Sequence, residues 1–168
     1  MKTKHITLCG ILITISLIIF MVENQIPPLA PIPGIKLGLS NIVILFSLLY
    51  LSPKETFLVL VSRVILSALL TSAPSTLLYS LAGGAGCLIT ELILLTALNK
   101  EYTIAISPLG ATVHNIFQLI VAFLITKTPE VFFYLPVLII SGIITGLFTG
   151  LCIYFFDKKA GHKIKQLL

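Results

Sequence analysis

The chain has 168 residues, of which 57% are hydrophobic and 10% are charged, and its formal net charge is +5 at pH 7. Soluble domains carry about a quarter charged residues, so this composition, with a mean hydropathy of +1.11, excludes a water-soluble fold. The basic balance does not indicate nucleic-acid binding, because the charges lie at the ends of apolar segments and form no aromatic and basic face.

Six apolar segments follow one another along the chain and predict six transmembrane helices. They cover about residues 6–22, 37–51, 56–70, 76–98, 106–125 and 131–156. Each has roughly 15 to 25 residues, the length that crosses about 30 Å of hydrocarbon. The predicted fold class is therefore an all-α membrane protein, a six-transmembrane-helix bundle that forms a single domain over residues 1–168.

The lysines predict how this bundle is oriented in the membrane. If the chain crosses six times from a cytoplasmic N-terminus, eight lysines lie on the cytoplasmic side and only Lys36 and Lys127 lie outside. An excess of basic residues on the cytoplasmic side is the usual pattern. We therefore expect both termini in the cytoplasm and the proline-rich loop QIPPLAPIPGIK, Gln25 to Lys36, on the outer face.

Two charged residues lie inside the apolar segments. Arg63 and Glu91 each lie about eight residues from the inner ends of their predicted helices. Because a charge inside a membrane faces protein, water or a ligand rather than lipid, the sequence predicts an ion pair between Arg63 and Glu91. This pair either fixes the third and fourth helices together or takes part in handling a ligand or a proton.

A polar stripe on the fifth helix and a polar layer at the outer face predict a binding site. Three polar residues of the fifth segment recur at a spacing of three to four and share one helix face. These three, His114, Asn115 and Gln118, either bind a ligand or hold neighbouring helices together. The residues of the outer layer, Glu23, Asn24, Lys36 and Asn41, either line a pocket beneath the proline-rich loop or are solvated at the interface. The predicted substrate-binding residues are Glu23, Asn24, Lys36, Asn41, Arg63, His114, Asn115 and Gln118.

Small residues on two helices predict close helix packing. Gly142, Gly146 and Gly150 form a GxxxGxxxG series on the sixth helix, and Gly10 and Thr14 form a weaker version on the first. Such strips let another helix approach closely. They serve either packing within the chain or docking of a partner subunit, and we take them as the candidate partner-docking residues.

Several catalytic patterns are missing from the sequence. It contains no P-loop, no HExxH, no GxSxG and no zinc-binding spacing. The sequence has one aspartate, Asp157, whereas magnesium-dependent diphosphate chemistry uses several carboxylates. We therefore predict no catalytic residues, no metal site and no cofactor.

An ordered set of motifs resembles one family of small bacterial membrane proteins. The motifs are Glu23 followed by PPLAPIPG, KLGLSNI from Lys36 to Ile42, LAGG from Leu81 to Gly84, and HNIFQ from His114 to Gln118. They resemble heptaprenyl diphosphate synthase component I, also called the Gx transporter family, over nearly the whole chain. That family is in turn similar to the substrate-binding S components of energy-coupling factor (ECF) transporters.

The resemblance implies a transport role. An S component has six helices with cytoplasmic ends, binds a small nutrient beneath the loop between its first two helices, and docks on a membrane coupling subunit that works with cytoplasmic ATPases. The first helix here has Gly10 and Thr14 where S components are alanine-rich. The resemblance also implies a bacterial cell membrane and a cargo such as an isoprenoid or quinone precursor.

Two other functions stay open at this point. The chain could be a non-catalytic accessory component of heptaprenyl diphosphate synthesis, because it lacks the DDxxD motif of chain-elongating synthases. It could also be a solitary proton-coupled carrier that uses Glu91 and His114, since a histidine titrates near physiological pH.

Overall fold

The computed structural model describes residues 3–26, 36–71, 74–98 and 100–167. These residues form six α-helices in the order of the six predicted segments, which confirms the all-helical prediction. The helices are α1 (Thr3–Glu23), α2 (Ile42–Tyr50), α3 (Pro53–Thr71), α4 (Pro74–Ala97), α5 (Thr103–Thr126) and α6 (Leu135–Leu167). Short 3-10 turns, Leu39–Asn41, Lys100–Tyr102 and Pro129–Tyr134, precede α2, α5 and α6.

Four stretches of the described residues are long and apolar enough to cross a membrane. They are Thr3–Glu23, Thr76–Ala97, Lys100–Thr126 and Pro129–Ile164. The chain is thus a multi-pass helical membrane protein. That it crosses six times, with both ends in the cytoplasm, stays a prediction.

The second helix is much shorter than its predicted segment, 37–51. α2 has nine residues, about 13 Å of helix, which is too short to cross about 30 Å of hydrocarbon. Gly38 before it has a left-handed backbone with φ of 79°, and Leu51 after it is extended. Proline disfavours helix in the residue before it, so Pro53 fixes the break at Ser52.

The short helix α2 lies inside the bundle. It contacts α1, α3, α4 and α6, and its residues Ile44 and Leu45 are 1% and 0% exposed. A helix that is apolar on all sides is stable where all sides are covered. Ser40 and Asn41, which come directly before α2, are therefore also buried inside the bundle.

The distribution of polar and apolar side chains is the reverse of that in a soluble protein. Large apolar side chains such as Ile144, Phe133 and Phe148 are exposed on the surface, whereas Glu91 and Gln118 are 1% exposed. Such a surface matches a lipid solvent, in which intramembrane polar groups face the bundle interior. This confirms the expectation that the rare ionisable groups turn inward.

The glycine series of α6 packs within the chain against α5. A Cβ atom added to Gly146 would collide with the backbone of Pro108, and one added to Gly142 or Gly150 would also meet α5 within about 3 Å. The prediction that Gly142, Gly146 and Gly150 form a partner-docking surface is therefore corrected. The strip is already occupied by a neighbouring helix of the same chain.

The small residues of α1 have a different environment. Gly10 has no atom within 4 Å of an added Cβ, and Thr14 is exposed and donates to the Gly10 carbonyl at 2.9 Å. This face of α1 is open in the chain, so its role in docking stays a prediction.

Reciprocal hydrogen bonds hold the start of α3. The Ser52 amide and hydroxyl each donate to Glu55 Oε2 at 2.9 Å, and the Glu55 amide lies 3.4 Å from the Ser52 hydroxyl. This is a capping box, which satisfies free amides at a helix start. His5 Nδ1 lies 3.0 Å from Glu55 Oε1 and joins α1 to the same point. The Ser52 amide is the main reason that the pKa of Glu55 is below its usual value.

Candidate ligand-binding site

A small polar cavity lies where α1, the segment before α2, α3, α4 and α5 converge. Five of the predicted binding residues line it, namely Glu23, Lys36, Arg63, His114 and Gln118. The other lining residues are Ser16, Leu17, Phe20, Gly38, Ser40, Val64, Ser67 and Ser80. Residues that are distant in sequence therefore meet at one place near the predicted outer end of the bundle.

The cavity is small. Its volume, measured for the centre of a water molecule, is about 10 Å³, which is room for about one water. The sequence led us to expect a larger pocket beneath the loop. Most of that proline-rich loop, residues 27–35, lies outside the described part of the chain.

One face of α1 forms the first wall of the cavity. Ser16, Phe20 and Glu23 follow a helical spacing of four and three, so their side chains point the same way. Glu23 is 4% exposed, and its Oε1 accepts the Gly38 amide at 2.5 Å. The carboxyl of Glu23 thus ties the end of α1 to the chain that returns after the loop.

Lys36 fixes the returning chain at two further points. Its ammonium donates to Asn24 Oδ1 at 2.9 Å and lies 3.5 Å from the centre of the Phe20 ring. Its backbone amide donates to Gln118 Oε1 at 3.3 Å. Partial burial lowers the pKa of the Lys36 ammonium, and the Glu23 carboxylate opposes that shift.

Arg63 is the central cation of the site. It is 5% exposed, donates to the Ser40 hydroxyl, and donates to Asn41 Oδ1 at 3.2 Å. Its Nε has no hydrogen-bond partner among the residues that the structure describes. Asn41 does not line the cavity but orients the arginine that does.

The predicted ion pair between Arg63 and Glu91 does not form. The one ion pair among the described residues joins His5 and Glu55, and Glu91 Oε2 has no partner. Arg63 lies ten residues after the start of α3 at Pro53, whereas Glu91 lies six residues before the end of α4 at Ala97. Counted from these two helix ends, Arg63 lies four residues, or about 6 Å, deeper than Glu91. Counted from the predicted helix ends, residues 56 and 98, the two depths were equal.

His114 lies between two glycines. A Cβ atom on Gly83 of α4 would lie 2.8 Å from His114 Cε1 and Nδ1, and one on Gly38 would lie 3.1 Å from His114 Cδ2. The ring is 3% exposed, and its Nδ1 lies beside the backbone of Gly83. Both glycines are therefore needed to leave space for the imidazole.

Like Asn41, two more of the predicted binding residues do not line the cavity. Asn115 donates to the Leu138 carbonyl at 2.8 Å and approaches Ser141 at 3.4 Å. It therefore joins α5 to α6 instead of lining the cavity, because it follows His114 by about 100° around the helix. Asn24 is exposed and acts through its bond to Lys36.

Sequence reasoning missed the serines of the cavity. Ser16, Ser40, Ser67 and Ser80 line it, and single serines are common in membrane helices. A signal existed for two of them. Ser16 shares a helix face with Glu23, and Ser67 lies one turn from Arg63.

The fold and the site together define a multi-pass helical membrane protein with a buried, charged cavity between its helices. Residues 12–156 match the family heptaprenyl diphosphate synthase component I. The chain therefore belongs to that family. No curated protein and no solved structure shows significant similarity to it.

Proposed function

We propose that the chain is the substrate-binding subunit of an ECF-type importer in the bacterial cell membrane, without catalytic activity of its own. The observation that carries the proposal is the convergence of Glu23, Arg63 and His114 from three helices on one buried cavity. Intramembrane ionisable groups are costly and mark binding sites or transport pathways. The cargo is a small organic nutrient, and the family name makes an isoprenoid or quinone precursor a candidate.

The size of the cavity places a requirement on this function. A site with room for about one water is too small for an organic nutrient, so binding requires its walls to separate. The segment from Lys36 to Gly38 is held to α1 and α5 by a few polar bonds.

The direct test is native mass spectrometry of the protein purified in mild detergent. We expect one small molecule retained at a ratio of one to one without ATP. The Arg63→Gln variant should lose it, whereas Lys127→Gln should retain it, because Lys127 is an exposed cation at the same predicted face. A wild-type protein that retains nothing, and that takes up no compound from a metabolite extract, would contradict the proposal.

The proposed partners follow from this role. A substrate-binding subunit without a P-loop needs a membrane coupling subunit and cytoplasmic ATPases. The open face of α1 at Gly10 and Thr14 is the candidate docking surface. Uptake by the purified chain in vesicles without any ATPase would favour the solitary carrier instead.

The family match favours a second candidate function. A component I of heptaprenyl diphosphate synthase is expected to form a complex with a catalytic subunit and to change the length of its product. The test is to measure synthase activity and product length with and without this chain. Unchanged activity and length in its absence would exclude this role.

A further inference from the structure

Arg63 forms no salt bridge with the described residues, and the Glu23 carboxylate acts on its charge only from beyond 4.0 Å. The guanidinium is 5% exposed, and its hydrogen bonds go to two neutral groups, the Ser40 hydroxyl and the Asn41 amide oxygen. No carboxylate of the described residues lies within 4.0 Å of it. A buried charge is stable only when it is paired as well as hydrogen-bonded, so the arginine lacks one partner.

The charge balance of the whole cavity points the same way. Two cations, Lys36 and Arg63, line the cavity with one carboxylate, Glu23. The carboxylate is already engaged by the Gly38 amide at 2.5 Å. One positive charge is left over.

Hydrogen-bonding groups without partners surround the same space. Arg63 Nε and the Ser16 hydroxyl are buried, belong to residues that line the cavity, and have no hydrogen-bond partner among the described residues. Arg63 Nε is a donor, and the hydroxyl can donate. These groups suit an oxygen acceptor placed among them.

We propose that the cargo carries a singly charged oxygen anion, as a carboxylate does, and that this group pairs with Arg63 inside the cavity. The inference rests on the proposed binding function and names the chemical class of the cargo. The anion completes the pairing of the arginine, and the Ser16 hydroxyl supplies a second hydrogen bond. An arginine fork matches the planar geometry of a carboxylate.

A diphosphate group fits the same cavity poorly. It carries several negative charges, and proteins usually bind it with magnesium held by carboxylates. The cavity has a net charge of one positive unit, and only one carboxylate, that of Glu23, is among its lining residues. Across residues 3–26, 36–71, 74–98 and 100–167, no group of three His, Cys, Asp or Glu side chains could hold a metal ion. The charge balance therefore assigns a single negative charge.

The test uses three small probes on the full chain in detergent at constant ionic strength: acetate, its neutral isostere acetamide, and inorganic diphosphate. We expect 100 mM acetate to raise the Tm of the wild type by about 3 °C, more than either other probe. Arg63→Gln should abolish the shift. Lys127→Gln, which removes a cation outside the cavity, should leave it unchanged. Arg63→Lys keeps the charge without the fork and should weaken acetate binding about tenfold.

Each outcome decides the assignment. An equal or larger shift with acetamide would show a site for a neutral group, and a larger shift with diphosphate would show a site for a polyanion. An acetate shift that survives in Arg63→Gln would place the anion elsewhere. If Arg63→Gln does not fold, loss of the acetate preference in Arg63→Lys supports the proposal and full retention overturns it. No shift with any probe also overturns it, while the retained molecule in the mass spectrum tests the binding function separately.

Discussion

Arg63 on α3 donates to Asn41 Oδ1 across 3.2 Å, just before α2 begins. This bond connects a buried cation to the buried end of the shortest helix. Asn41 is 5% exposed, and its side-chain nitrogen, Nδ2, has no hydrogen-bond partner in the described part of the chain. The position of the arginine in the cavity thus depends on where α2 starts, and not on a carboxylate of α4.

A double-mutant cycle should separate these two partners. We expect Arg63→Gln and Asn41→Ala to be coupled by about 0.5 to 3 kcal/mol, as residues in contact are, and Arg63→Gln and Glu91→Gln to be additive within about 0.5 kcal/mol. Thermal unfolding in detergent measures both cycles. A strong coupling to Glu91 would restore the ion pair that the sequence predicted.

The contact between His114 and the glycine of α4 gives a second prediction. Gly83→Ala should destabilise the chain by about 1 to 3 kcal/mol, because the new methyl group overlaps the imidazole. His114→Ala should suppress much of that loss in the double variant. Gly10→Ala is the matched control, since Gly10 has open space around it and alanine favours a helix by up to about 1 kcal/mol. Equal effects at Gly83 and Gly10 would contradict the packing.

The contact of α6 with α5 gives a third prediction. Gly146→Ala should lower the Tm of the isolated chain, because the added Cβ meets the Pro108 backbone and backbone cannot move aside as a flexible side chain can. The loss should appear without any partner present. If Gly146→Ala is neutral alone and only weakens a complex, the glycines serve docking after all.

The capping box predicts a loss of stability that is independent of the cavity. Ser52→Ala should cost about 1 kcal/mol, the usual effect of removing a helix cap, because it leaves an amide of α3 unpaired. Ser52→Thr keeps a hydroxyl and serves as the control. The measurement is thermal unfolding, and binding of small molecules should not change.

The same box predicts a dependence on pH. The pKa of Glu55 in the folded chain is below its ordinary value of 4.5, chiefly because it accepts the Ser52 amide. Ionised Glu55 therefore stabilises the folded chain at pH values above its pKa in the unfolded chain. This stabilisation disappears as the pH falls through the lower pKa that Glu55 has in the folded chain. Glu55→Gln should remove this part of the acid sensitivity. An unchanged profile between pH 6 and about 3 would contradict the assignment.

Much of the fold could be predicted because each helix has its own apolar segment. The breaks at Pro53 and Pro74 are local signals, and both mark helix starts in the structure. The length of α2 was harder to predict, because Gly38 and Asn41 lie in a run that is apolar enough to continue. The left-handed backbone of Gly38 keeps the helix from starting earlier in the chain, and the hydrogen bond from its amide to Glu23 stabilises that turn.

The site could be predicted in part. Arg63 was found because a charge in an apolar segment is a strong signal, Glu23 because it belongs to the outer polar layer, and His114 because it belongs to the polar stripe of the fifth helix. Which partner each one contacts depends on helix depth and rotation, and an error of a few residues in a helix end changes both. Asn115 shows the second effect, because one step along α5 turned it away from the cavity and toward α6.

The length of α6 has a mechanical consequence. Its 33 residues extend for about 50 Å, which exceeds the membrane core by several turns. Asp157, about two thirds of the way along α6, accepts a hydrogen bond from Tyr50, so the helix is attached to α2 at that level. The next turns stay attached as well, because Ile164 packs against the buried cluster that contains Tyr50. A fluorophore at the end of α6 would therefore report any movement of α2 and α6 as one unit.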